Sequence, residues 1–210
     1  PHTPLSSLTR KYDALSRPNV TMAFDFRDFA ESYVGSLVRT LGGLPFSELE
    51  DFWKLVEAAR ESEATVHFIG NGGSAGTPSH SAGDWSKELA LRTISHTDNS
   101  PSLTAWANDT EYQNVFVGQL STFIREGDIV VGFSGSGNSE NVLRGIEFAK
   151  QRGCSTVAVT GDYRGMGGGK LADIADVSIV VPSNSMERIE DVQLVINHIV
   201  KEAVKSNNGL

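Results

Sequence analysis

Cysteine is nearly absent from this chain: Cys154 stands alone among 210 residues. A lone thiol excludes an internal disulfide framework and is expected of a protein kept in a reducing, cytoplasmic setting. Long apolar runs are missing too. No stretch approaches the roughly 20 residues that a membrane span needs, so no membrane partner is expected. Positive charge is also scarce, with 18 lysines and arginines against 26 acidic residues and a net charge of −8. That balance argues against a nucleic-acid partner, because duplex binding depends mainly on basic side chains neutralising phosphates. It also sets a constraint: if the chain takes a phosphorylated small molecule, it must build an anion-seeking pocket from backbone amides and hydroxyls. The first residues, "PHTPLSSLTRKYDALSRPN", lack the apolar block of a secretory leader, and residues 1–21 read as a surface arm.

What is present is a change of grammar near residue 62. Before it, Phe29, Tyr33, Leu37 and Leu41, then Leu49, Phe52, Leu55, Val56 and Ala59, recur at helical spacing, with Leu44-Pro45 between the two groups. After it come short β-branched runs: "TVHFIG", "LRTISHT", "DIVVGFS", "STVAVTG" and "VSIVVP". Such runs suit strands buried on both faces. Between the third and fourth, Val142, Ile146 and Ala149 mark a helical face that Gly153 is placed to stop. The alternation predicts one domain with a five-stranded parallel sheet, helices on both sides, and a ligand at the carboxyl ends of the strands. Residues 22–62 would be N-terminal helices preceding a domain over 63–208.

Two of the predicted strands end in loops of one character, "FIGNGGSAG" and "FSGSGNSEN". Their glycines let the main chain approach a ligand closely, while the following helix presents unpaired N–H groups to an anion. Asn71, Gly72, Gly73 and Ser74 in the first loop, and Ser134, Gly135, Ser136 and Ser139 in the second, form a candidate phosphate cradle. A tight strand-to-helix turn explains either loop taken singly; two on one sheet are harder to explain that way. Neither is a P-loop or a dinucleotide fingerprint. Just beyond the first loop, "SHSAGDWSKEL" sets His80 and Asp84 four residues apart, on one face if the segment is helical, with Pro78 placed in its first turn. A solvated histidine beside a carboxylate is the plainer alternative. His67, inside a strand, reads as a satisfied core residue.

"GNGGSA" (70–75), "GDIVVGFSGSGNSENV" (127–142) and "VAVTG" (157–161) closely resemble the sugar isomerase (SIS) domain, and within it the phosphoheptose isomerase branch. The resemblance covers nearly the whole chain. It implies a three-layer α/β/α sandwich of flavodoxin-like type, a homotetramer packed through the N-terminal helices, and a phosphorylated sugar as partner. The implied activity is aldose-ketose isomerisation of sedoheptulose 7-phosphate. An octulose 8-phosphate is an alternative substrate, and a non-catalytic sugar-phosphate sensor or scaffold an alternative role. It further implies a divalent metal, zinc by its donor types, held by His80, Asp84, Glu190 and His198. Asp84 and His198 would transfer protons, and Asp98 and Glu190 would contact the sugar. The chain departs from the pattern in three places: Asp84 stands where the family has glutamate, Glu190 where it has glutamine, and Gly135 replaces a threonine. On helical spacing alone, Ile189, Val192, Ile196, Ile199 and Ala203 would be the buried stripe, with Glu190 and His198 flanking it in solvent. The loop "TGDYRGMGGGK" is longer than the family's and would reshape the sugar end of the pocket.

Overall fold

The computed structural model describes residues 24–210; the arm expected over 1–21 lies outside them. Contacts divide the chain into a unit ending at Ser36 and a second spanning Leu37–Leu210. In the first, the Asp25 carboxylate accepts the N–H groups of Arg27 at 2.9 Å and Asp28 at 3.2 Å, starting helix α1 (Phe26–Gly42).

The second unit continues through α2 (Phe46–Ser62), β1 (Thr65–Gly70), α3 (Gly73–Leu89), β2 (Arg92–Ser95), α4 (Ser100–Asp109) and α5 (Val115–Phe123). Then follow β3 (Ile129–Ser134), α6 (Glu140–Gln151), β4 (Ser155–Gly161), α7 (Gly169–Ile174), β5 (Val177–Val181) and α8 (Met186–Asn208). All five strands pair in parallel, in the order β2-β1-β3-β4-β5. Successive side chains of a strand point to opposite faces. Thus Ile129, Val131 and Phe133 of β3 enter one core with α2, α3 and α8, while Val130 enters the other with α5, α6 and α7. The expected α/β sandwich is what the residues build.

Two expectations about helices need correction. α3 begins at Gly73, so Pro78 lies inside it rather than in its first turn. Proline cannot donate to the carbonyl four residues back, and that carbonyl, on Ser74, leans onto Gly70, where a Cβ would collide with it. On α8 the buried stripe runs through Ile189, Val192, Ile196, Val200 and Val204, while Ile199 is exposed. Gln193, Asn197 and Lys201 share the buried face, so it is wider and more polar than apolar spacing alone indicated.

His67 is fully buried and satisfied on both ring nitrogens, by His96 at 3.0 Å and by Asp128 at 3.2 Å. Burial lowers the pKa of His67, and burial together with His67 pushes His96 down to about 3. Both histidines therefore stay neutral in the fold where the unfolded chain protonates near 6.5. The unfolded state then binds more protons, so stability is full above that value and drains as the pH falls from it toward 3. The slope is on the order of 1 kcal/mol per pH unit for His96. Urea midpoints measured between pH 7.5 and 4.5 are expected to fall less steeply for His96→Gln than for the native chain. Equal slopes would contradict this account.

Candidate functional site

The strand order places β1 and β3 side by side at the point where the chain reverses direction across the sheet. Crossovers from these strands leave on opposite faces, and the gap above them is where α/β sheets receive ligands. Both glycine-serine loops end there. They are tied by reciprocal amide bonds, Asn71 Nδ2 to Asn141 Oδ1 at 2.7 Å and Asn141 Nδ2 to Asn71 Oδ1 at 2.9 Å; the Tyr112 hydroxyl also donates to Asn71 Oδ1.

Above them lies a hollow of about 240 Å³ lined by Asn71, Gly72 and Ser74, by Ser134, Gly135, Ser136 and Ser139, and by Met186 and Glu190 of α8. Among the described residues no lysine or arginine lines it. Instead α3, α6 and α8 all begin at it, and none is capped by the side chain of its own N-cap residue. Ser139 is placed to cap α6, yet its oxygen accepts from Ser134 Oγ at 3.1 Å. Three helix N-termini, none capped by its N-cap side chain, thus converge on one cavity. This is how a net-acidic chain offers positive potential without basic side chains. The Glu190 carboxylate rests against Gly73 in the first turn of α3, and burial raises its pKa.

A second group lies two turns farther along α3 and α8. His80 Nε2 is 3.1 Å from His198 Nε2 and 3.2 Å from Asp84 Oδ2, and His198 Nε2 is 3.7 Å from the same oxygen. The i,i+4 spacing on α3 aligns His80 with Asp84, and packing of α8 against α3 brings in His198 from more than a hundred residues away. The three donor atoms lie within 4.8 Å of one another, and two imidazoles with a carboxylate suit a divalent cation.

Glu190 is not in this triplet; it faces the cradle. Asp98 is exposed, accepts from the Thr97 hydroxyl, and does not line the hollow. Sequence reading missed Lys201. Its buried ammonium donates to Asp84 Oδ2 at 3.0 Å, and that bond, with the nearby His80 and His198 charges, holds the Asp84 carboxyl below the usual carboxylate range. The signal was available, since Lys201 follows His198 by three residues, one helical turn. Asn141 was missed although it is the last residue of the loop "FSGSGNSEN".

The extended loop after β4 packs on the cradle. Leu171 N–H donates to Gly137 O at 2.9 Å, Lys170 N–H to Asn138 Oδ1 at 3.3 Å, and Thr160 Oγ1 to Gly168 O at 3.0 Å. Gly137 has φ +64°, and a Cβ there would strike the Gly168 carbonyl. Gly137→Ala should therefore lower stability by about 2 kcal/mol or more, read as a reduced thermal midpoint, because left-handed strain adds to a backbone clash. An unchanged midpoint would contradict the packing described.

Residues 32–161 match the family described as SIS domain. A phosphoheptose isomerase of Nitratiruptor sp. is 38% identical over 147 residues, covering 68% of this chain and 76% of that protein. A probable phosphoheptose isomerase of Thermoplasma volcanium is 41% identical over 187 residues, covering 87% and 91%. Among solved structures, the phosphoheptose isomerase of Neisseria gonorrhoeae superposes with a TM-score of 0.80 at 26% identity, over 87% of this chain and all of that one.

Proposed function

Since the chain belongs to the SIS domain family and is a sugar-phosphate isomerase, we propose that it interconverts sedoheptulose 7-phosphate and D-glycero-D-manno-heptose 7-phosphate. The observation that carries this reading is the spacing between the two groups of the site. The cradle lies at the starts of α3 and α8, and His80, Asp84 and His198 lie seven to twelve residues past those starts. At 1.5 Å per residue, His80 and His198 stand roughly 10–12 Å along the axes from Gly73 and Glu190. An extended chain of about eight single bonds spans that distance, so a phosphate in the cradle puts the carbonyl end of a long-chain sugar, rather than a triose, at the triplet.

Ser134, Ser136 and Ser139, with the three helix starts, hold the phosphate and fix the sugar's register. Asp84, kept ionised by Lys201, takes the proton from the carbon beside the carbonyl while His198 protonates the carbonyl oxygen, giving a cis-enediol. Reversal at the neighbouring carbon and oxygen returns both protons and yields the aldose. Zinc or a related divalent ion held by His80, Asp84 and His198 would polarise the sugar oxygens, while Glu190 faces the cradle. Assembly into a homotetramer through α1 and α2 is supported by Phe26, Phe29, Val34 and Val38, which α1 leaves exposed.

The test is to incubate the purified chain with sedoheptulose 7-phosphate, with and without added zinc, and to follow aldose formation by NMR. Turnover is expected, with His198→Gln reducing kcat about 100-fold or more. Paired replacement of Ser134 and Ser136 by alanine should chiefly raise KM. Turnover of an octulose 8-phosphate instead would reassign the substrate, and tight binding without turnover of either would leave a sugar-phosphate sensor.

A further inference from the structure

Beside the triplet a row of charges continues along the seam between α3 and α8. Lys201 is buried, with 8% of its side chain exposed, where α8 packs on α3. Its ammonium lies 3.0 Å from Asp84 Oδ2 and 3.4 Å from Glu88 Oε1, and Lys205 takes the other Glu88 oxygen at 2.8 Å. Two lysines of α8 thus alternate with two carboxylates of α3. The Asp84 oxygen that Lys201 engages is the one facing His80 and His198. A cation entering the triplet therefore meets, across a single carboxylate oxygen, a positive charge that packing holds in place.

We propose that Lys201 is a positioning residue that keeps divalent-cation binding by His80, Asp84 and His198 weak and exchangeable, by claiming a lone pair of Asp84 Oδ2 and opposing the second positive charge. Two effects act in the same direction. The ammonium draws electron density from the ligating oxygen, and it repels a divalent ion across a short, partly buried gap where screening is poor. Removing the charge also leaves Asp84 and Glu88 less compensated, which favours a cation further. The site would then fill or empty with the free cation concentration, making divalent-ion supply a control on the enzyme. This rests on the reading above that the triplet is the cation-holding part of the site.

The test is titration of cobalt(II) into the full-length chain at fixed pH, read by calorimetry and by the visible ligand-field bands, for the native protein and for Lys201→Met, Lys201→Arg, Lys205→Met and Asp84→Asn. Lys201→Met is expected to bind cobalt tighter by about tenfold or more, with Lys201→Arg close to native. Lys205→Met, which removes a partner of Glu88 and Glu202 but none of Asp84, should change affinity little. Equal or weaker binding by Lys201→Met overturns the proposal and makes the lysine a structural prop. If native binding is lost in Asp84→Asn while Lys201→Met matches the native chain, the cation site stands and only the role of the lysine falls. If neither the native chain nor Lys201→Met shows bands or heat, the cation reading falls and takes this proposal with it. Should Lys201→Met fail to fold by circular dichroism, Lys201→Gln carries the same expectation.

Discussion

A parallel sheet in the order β2-β1-β3-β4-β5 cannot cover the ends of its own middle strands. Right-handed crossovers send α3 from β1 to one face and α6 from β3 to the other, so a crevice opens between them wherever the chain reverses direction. The rest of the site follows from that constraint. The crevice is bordered by helix beginnings, whose N–H groups have no helical partner, and α8 returns over the sheet to add a third. The reciprocal Asn71–Asn141 amides fasten the two loops across the gap. They do so without adding charge, which leaves the aligned helices as the main source of positive potential.

Charge is handled differently two turns away. The seam between α3 and α8 gathers His80, Asp84, Glu88, His198, Lys201 and Lys205 into one connected set of ion pairs and ring contacts. Exposed ion pairs of this type contribute little to stability. Lys201, however, is buried, and losing one partner of such a pair leaves an uncompensated charge. The seam is better understood as a means of orienting Asp84. Bonds from Lys201 on one side and His80 on the other hold this short carboxylate in one place.

The strands were legible because each is a short β-branched run bounded by glycine, serine or proline, and "TVHFIG" and "STVAVTG" coincide with β1 and β4 residue for residue. The hollow was legible because two glycine-serine loops fall at strand ends of one sheet, which tight turns account for one at a time but not together. Pro78 misled because a helix tolerates a proline when the freed carbonyl finds somewhere to sit, here against Gly70, and only tertiary structure reveals that. Ile199 and Lys201 misled for one reason. Periodicity ranks residues by hydrophobicity, whereas α8 buries whatever faces α3 and the sheet, including a lysine that finds two carboxylates there. The meeting of His80 with His198 could not be read from spacing, because it depends on how two helices pack, and the family resemblance supplied it instead.

The crossing of Gly137 beneath Gly168 joins the cradle to the loop after β4 by main chain alone. No side chain can be introduced at that crossing from either strand of it. Side chains in this corner of the molecule are accordingly freest to vary at Arg164, Met166 and Lys170, which are exposed on the loop. A change in what the hollow admits would fall to those exposed side chains, while the glycine crossing itself stayed fixed.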